Sequence, residues 1–228
     1  MVGEPPRTER VPAELRATLA AGTAEAWEAL APHLPASLYL AGGTAVAVHL
    51  RHRKSADLDF FYHRSSVDLD RLAEQLPRLG AFAITRRAPG TLRGLFAGTK
   101  VEFLHADEAR PQVLLREPIE IAGLRVAALE DLMAMKLKVI GDRGEARDYF
   151  DAMTIDERGH VTLEDGIALF LERYKLTPSS DALSHLVAAL GYLDDVEQDD
   201  ALPIDLEDLT RWWRTRQPRL VRELGRRG

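Results

Sequence analysis

The 228-residue chain contains no cysteine. It therefore has no disulfide framework, thiolate metal site or cysteine nucleophile, and a reducing compartment suits it. Long apolar runs are missing too. Stretches such as Ala45 to Val48 fall far short of the roughly 20 residues that span a bilayer. The opening Met-Val-Gly-Glu-Pro-Pro lacks the basic-then-apolar order of a signal peptide, so no membrane partner is expected and the cytoplasm is the default location. Internal repeats and low-complexity segments are likewise absent. There is no overall excess of positive charge: the formal net charge is −6, which does not suggest a general polyanion binder. That average hides a sorting of charge. From Asp194 to Asp208 every charged side chain is acidic, whereas from Arg211 onward seven arginines face only Glu223. One reading is an acidic loop followed by an amphipathic helix whose arginines meet water or those acids; the other is a helix facing nucleic acid.

What is present is an ordinary apolar fraction of 46%, enough for one large domain or two modest ones. Residues 1–11, rich in Pro, Glu and Arg, read as a mobile arm. Pro12 to Leu34 reads as one helix with Leu15, Leu19, Trp27 and Leu30 on a face. "SLYLA" is a short strand, Gly42-Gly43 a turn, and "TAVAVHLRH" a helix. "ADLDFFYH" is a second strand, followed by a helix over Val67 to Leu79. Three short strands, "FAITRRA", "TLRGLFAG" and "KVEFLHA", come next, the last two forming a hairpin about Gly98-Thr99. After a brief extended piece around Gly123, the pattern from Glu130 onward is helical.

Chemistry concentrates between residues 41 and 63. A glycine pair at a strand-to-helix turn lets backbone N–H groups approach a ligand, and the helix N-terminus suits phosphate; Thr44 can add a hydroxyl. In "SADLDFF", Asp57 and Asp59 lie on one face of a strand while Leu58 and Phe60 turn to the core. Two carboxylates so close repel unless a cation bridges them, and hard divalent ions suit them. The alternative is a solvated strand end. In "KVEFL", Glu102 sits in an apolar strand and needs a partner. If its strand neighbours that of Asp59, it completes a three-carboxylate cage and serves as base; otherwise it pairs with Lys100 or an arginine. The bases Arg51, His52, Arg53 and Lys54 form either a solvated connector or a phosphate contact. His49 and His52 have helical spacing but no further zinc ligands in view. Trp212-Trp213 reads as a docking element of the last helix rather than a base-stacking platform.

Gly42-Gly43-Thr44, then Ser55-x-Asp57-x-Asp59-Phe60-Phe61, resembles the nucleotidyltransferase signature of the DNA polymerase β-like superfamily. More narrowly it is similar to the AbiEii/AbiGii-type toxin nucleotidyltransferases. The later Met135-Lys136-Leu137, Arg143-Gly144 and Arg147-Asp148-Tyr149-Phe150-Asp151 resemble that family's Lys-Leu helix and Arg-Asp-x-x-Asp segment. The resemblance runs from about residue 38 to about 155; in the last 70 or so residues only "LVAALGYLDDVE" faintly echoes the family.

It implies an α+β fold: a nucleotidyltransferase-type N-terminal mixed β-sheet with helices (1–125), followed by a C-terminal helical domain (126–228). Implied catalytic residues are Asp57, Asp59, Glu102, Lys136 and Asp148, with Asp57, Asp59 and Glu102 holding Mg2+ (or Mn2+). Gly42, Gly43, Thr44, Ser55 and Lys136 would bind the NTP, and Arg53 and Arg143 would contact phosphate or acceptor. Lys136 can place a point charge on a triphosphate, and Asp148 and Asp151, three apart on a helix, can hold Lys136 or Arg143; a structural ion-pair network is the other reading of these residues. The implied reaction moves NMP from an NTP to an acceptor hydroxyl and releases pyrophosphate. The kinship further implies a cognate antitoxin partner and the 3′ end of tRNA as acceptor. Transfer to a small molecule or a protein hydroxyl, and a catalytically idle nucleotide- or partner-binding protein, remain alternatives.

Overall fold

The structure, a computed structural model, describes residues 10–63, 66–106 and 112–227. Most of the expected N-terminal arm, residues 1–9, lies outside the described residues. Contacts divide the chain into two compact units, one within Met1–Arg110 and Pro118–Ala127, the other within Pro111–Glu117 and Ala128–Gly228. Where the sequence suggests a single boundary near residue 125, Pro111–Glu117 belongs with the helices.

The first unit is built on a seven-stranded mixed sheet of order β3-β4-β5-β2-β1-β7-β6. Its strands are β1 (Tyr39–Ala41), β2 (Leu58–Tyr62), β3 (Phe82–Ala88), β4 (Thr91–Phe96), β5 (Thr99–His105), β6 (Ile119–Ile121) and β7 (Leu124–Val126). β2 runs antiparallel to β1 and parallel to β5. Alternation decides which face is buried. Leu58, Phe60, Tyr62, Leu92, Phe96, Val101 and Phe103 are all buried, and Phe60 stacks on Phe103 with ring centroids 5.3 Å apart. The opposite face carries Asp59, Glu102, Arg93 and Lys100.

Helices α1 (Ala13–Arg16), α2 (Thr23–Leu30), α3 (Gly42–Leu50) and α4 (Leu69–Gln75) complete this unit. The single helix expected over Pro12 to Leu34 is interrupted. Backbone at 18–20 bonds to Ser55 instead, the Ser55 N–H donating to the Thr18 carbonyl (3.0 Å) and the Ala20 N–H to the Ser55 carbonyl (2.9 Å). Gly22 then enters α2 with φ 85°. The helix expected to Leu79 tightens into a 3-10 turn at Leu76–Leu79 containing Pro77. The β4–β5 hairpin turns on Ala97-Gly98, both at positive φ, with Phe96 opposite Thr99. This is one residue earlier than the sequence suggests. The brief extended piece around Gly123 is a full hairpin of β6 and β7.

Edge strand β3 contains a bulge. Ile84 is opposite Gly94, but the next partners are Arg86 and Arg93, leaving Thr85 as the extra residue. Phe82 lies across Gly94, where an added Cβ would meet the ring at 2.4 Å; the missing side chain makes room for the aromatic.

The second unit comprises α5 (Leu129–Asp142), α6 (Ala146–Arg158), α7 (Leu163–Arg173), α8 (Asp181–Gly191) and α9 (Leu206–Arg227). α5 packs against α6, α7 and α8, and α9 against α6, α7 and α8. Leu132, Leu137, Tyr149, Ile155, Phe170, Leu190 and Trp213 are among its buried side chains. A fully buried ion pair joins Asp131 to Arg173. Asp131 also accepts from the Leu115 (3.0 Å) and Arg116 (2.9 Å) backbone N–H groups, and Arg173 donates to the Val113 carbonyl (3.0 Å). Burial pushes the Asp131 carboxyl above its ordinary value, against those donors and the arginine charge.

Most described arginines of α9 meet acids. Arg211 pairs with Glu207 and Asp208, Arg214 with Asp194, Arg226 with Glu223. Arg216 forms a bidentate network with Asp156 and Glu164. Trp213 is fully buried edge-on to Tyr149, and Trp212 donates to Glu157 at 2.6 Å. Both tryptophans therefore serve to dock the helix.

Candidate active site

In the first unit, the chain leaves β1 and turns at once into α3. Gly42 has φ +69°, a left-handed value that a side chain disfavours, and a Cβ there would stand 2.4 Å from Asp59 Oδ2. Both constraints call for glycine. Ala41, the residue preceding α3, offers no side-chain cap, and the Asp59 carboxylate lies beside Gly42 at a helix N-terminus whose partial positive charge favours an anion.

Thr44 is buried on α3. Its hydroxyl lies 2.8 Å from Ser55 Oγ and bonds the Asp57 carbonyl. A hydroxyl has one proton and a carbonyl can only accept, so Thr44 donates to Asp57 and Ser55 donates to Thr44. Both protons are thus spent shaping the loop that delivers Asp57. The Asp57 carboxylate itself, half-buried, meets no ion-pair partner among the described residues.

β2 and β5 are neighbours, and Asp59 stands opposite Glu102, so the two acids project from the same sheet face about 5 Å apart at the backbone. Glu102 is buried, and its Oε1 lies 3.1 Å from Arg93 Nε and 3.0 Å from Lys100 Nζ. The strand adjacency on which the three-carboxylate cage depended is present, but Glu102 takes the other arrangement, pairing with Lys100 and an arginine. Among the described residues no group of three His, Cys, Asp or Glu side chains is gathered closely enough to hold a metal ion. Asp57 and Asp59 remain a donor pair suited to a hard cation that takes its other ligands from phosphate and water. Glu102 is already committed to two cations.

The basic loop divides. Arg51, in a left-handed conformation that ends α3, pairs with Glu14 at 2.6 Å. His52 is buried, and His49 Nε2 bonds the Ala127 carbonyl at 2.8 Å. Arg53 is half-exposed and donates to the Lys54 carbonyl at 3.0 Å.

In the second unit, Lys136 Nζ lies 2.8 Å from Asp148 Oδ1 and 2.7 Å from Asp151 Oδ2, with all three side chains buried. Burial by itself lowers the Lys136 ammonium, but the charges of Asp151 and then Asp148 outweigh it and the group is held above its ordinary value. Arg143, exposed at the end of α5, lies 3.4 Å from Glu145 and 4.0 Å from Asp148. Lys136 keeps one donor beyond the two it gives to these carboxylates.

Sequence reasoning missed Arg93, the cation opposite Glu102, and Arg86 beyond it. The alternation in "TLRGLF" carried part of that signal; the pairing register carried the rest.

Comparison with known proteins follows the same lines. Residues 26–224 match the family described as nucleotidyl transferase AbiEii toxin, type IV TA system. The chain belongs to this family. An uncharacterised protein of Aquifex aeolicus is 26% identical to this AbiEii-family chain over 176 residues, covering 77% of the chain and 80% of that protein. The fold is similar to that of a candidate nucleotidyltransferase from H. pylori, at 22% identity and TM-score 0.53, over 88% of this chain and 92% of that one. It is also similar to MenT4, a nucleotidyltransferase toxin from Mycobacterium tuberculosis, at 21% identity and TM-score 0.54, over 84% and 79% of the two chains. The α+β architecture, a mixed sheet followed by C-terminal helices, is that of the nucleotidyltransferase neighbours.

Proposed function

We propose that this AbiEii-family protein is a metal-dependent toxin that transfers NMP from an NTP to an acceptor hydroxyl, with the 3′ end of tRNA as acceptor and an antitoxin as its cognate partner. The observation that carries the reading is the seating of Asp59 Oδ2 against Gly42, which sets a strand-borne acid at the N-terminus of α3.

Asp57 and Asp59 are the residues to hold Mg2+ or Mn2+. The bound ion would offset charge on the triphosphate and make the acceptor hydroxyl easier to deprotonate. The Gly42-Gly43 backbone can approach phosphate because no side chain intervenes. Thr44 and Ser55 serve by fixing the Asp57 loop, since their protons are used within it. Glu102 fixes Arg93 and Lys100 beside the acids, and Arg53 is the proposed contact for a further phosphate. For Lys136, Asp148 and Arg143 the proposed share is support of nucleotide binding, resting on the family motif.

The test offers labelled NTPs and Mg2+ to the protein with total tRNA, small hydroxyl compounds or protein extract, using Asp57→Asn as control. Label confined to tRNA and lost in the variant is expected. Label in none of the three would sink the transferase reading; label on small compounds or protein alone would replace the acceptor.

A further inference from the structure

One row crosses four strands of the sheet. Asp59 on β2 is opposite Glu102 on β5, Glu102 is opposite Arg93 on β4, and Arg93 is opposite Arg86 on β3. All four residues stand on the face away from the buried Phe60, Phe103 and Leu92, in the sequence acid, acid, base, base. Lys100 shares that face and also reaches Glu102. Two cations around one carboxylate leave an excess of positive charge, and Arg86 adds to it. Arg93 and Lys100 keep 40% and 50% of their side-chain surface exposed. Arg86 is exposed and bonds to no acid among the described residues.

The bulge at Thr85 decides this arrangement. With pairing continued regularly from Ile84 and Gly94, Thr85 would face Arg93, and Arg86 would lie over buried Leu92. The extra residue instead puts Arg86 beside Arg93 and turns Arg87 to the other face, where it meets Asp70 of α4 at 2.5 Å. Bulges at sheet edges commonly re-aim a side chain in this way.

We propose that Arg86, Arg93 and Lys100 form a track for the phosphodiester backbone of a single-stranded polynucleotide acceptor, leading its terminal hydroxyl toward Asp57 and Asp59. The proposal rests on the transferase reading above. Spacing favours the acceptor over the NTP. At about 5 Å per strand, Arg93 and Arg86 stand about 10 and 15 Å from Asp59 at the backbone. A triphosphate reacting at its α-phosphorus beside Asp59 is too short to occupy the whole row, whereas successive phosphates of a polynucleotide continue along it. Exposed guanidiniums that touch phosphate supply affinity without reading sequence.

The test measures binding of a labelled single-stranded RNA oligonucleotide by the full chain at several salt concentrations, and of Mg·NTP separately. Arg86→Glu should weaken RNA binding about tenfold, and Arg86→Gln should reduce the salt slope by about 0.7 to 1. Mg·NTP affinity should stay unchanged in both. Arg87→Glu, one residue away but on the opposite face, should leave RNA affinity near wild type. Unchanged RNA affinity in Arg86→Glu, an equal loss in Arg87→Glu, or a parallel loss of NTP affinity would each overturn the track. Arg86-dependent RNA binding by a wild-type chain that binds no NTP would support the track and overturn the transferase reading alone.

Discussion

The two units each gather acids around bases, but in opposite ways. In the helical unit, Lys136 is enclosed by Asp148 and Asp151, and Asp131 by Arg173 and two backbone N–H groups. These clusters close on themselves. In the sheet unit, Glu102 is similarly surrounded, yet Asp57 and Asp59 stand half-exposed, with Asp59 against the N-terminus of α3. Buried charge that is fully partnered tends to show itself in folding when one partner is removed. Partly exposed acids held in place by backbone geometry are the ones that can exchange water for a ligand. Family motifs run through both clusters, so motif membership by itself does not separate a group that meets substrate from one that holds the fold.

Mutations can break that contrast. The largest expected effect is Lys136→Met, which strands two buried carboxylates and should cost about 3–5 kcal/mol in urea unfolding. Adding Asp148→Asn and Asp151→Asn should recover much of it. If folded Lys136→Met retains full transfer, Lys136 loses its proposed nucleotide role. Next comes Asp57→Asn, expected to lower transfer at least about a hundredfold with little change in thermal midpoint. A comparable loss of stability would move Asp57 into the closed class. Gly42→Ala should affect both measurements, through strain of about 1–3 kcal/mol and displacement of Asp59. Thr44→Val should cost about 1–2 kcal/mol and lower transfer less than Asp57→Asn, because it loosens the loop without removing an acid.

The smallest effect concerns alkaline pH. Burial first, and then the Asp148 charge, push the Tyr149 hydroxyl up from 10.0 to about 12. A raised folded value means that the contribution is complete below pH 10.0 and is lost as pH rises toward about 12. Tyr149→Phe should flatten the fall of stability across that window, although it also removes the bond to the Ala189 carbonyl.

The sheet's local pieces were legible. β1, the glycine turn, α3, β2 and the β4–β5 hairpin follow from alternation and turn chemistry. What the sequence could not supply was pairing between distant segments. A hairpin turning on Gly98-Thr99 would set Leu95 opposite Glu102; turning on Ala97-Gly98 sets Arg93 there. One residue in the turn thus selects the partner of a buried acid. The break in the first helix depends on Ser55, more than 30 residues further along the chain. Asp131 reads as an ordinary acid in a first helical turn, and nothing nearby announces that Arg173 will bury it.

The Asp131–Arg173 clamp bears on how this protein can be divided. The backbone it grips, Val113 to Arg116, precedes β6 and β7, whereas Asp131 and Arg173 follow them. Any single cut between residues 117 and 128 would give the gripped segment to one fragment and the clamp to the other. Independent expression of the helical half therefore calls for a circularly permuted or spliced gene that carries 111–117 with it; a plain truncation would leave a buried carboxylate without the amides built to receive it.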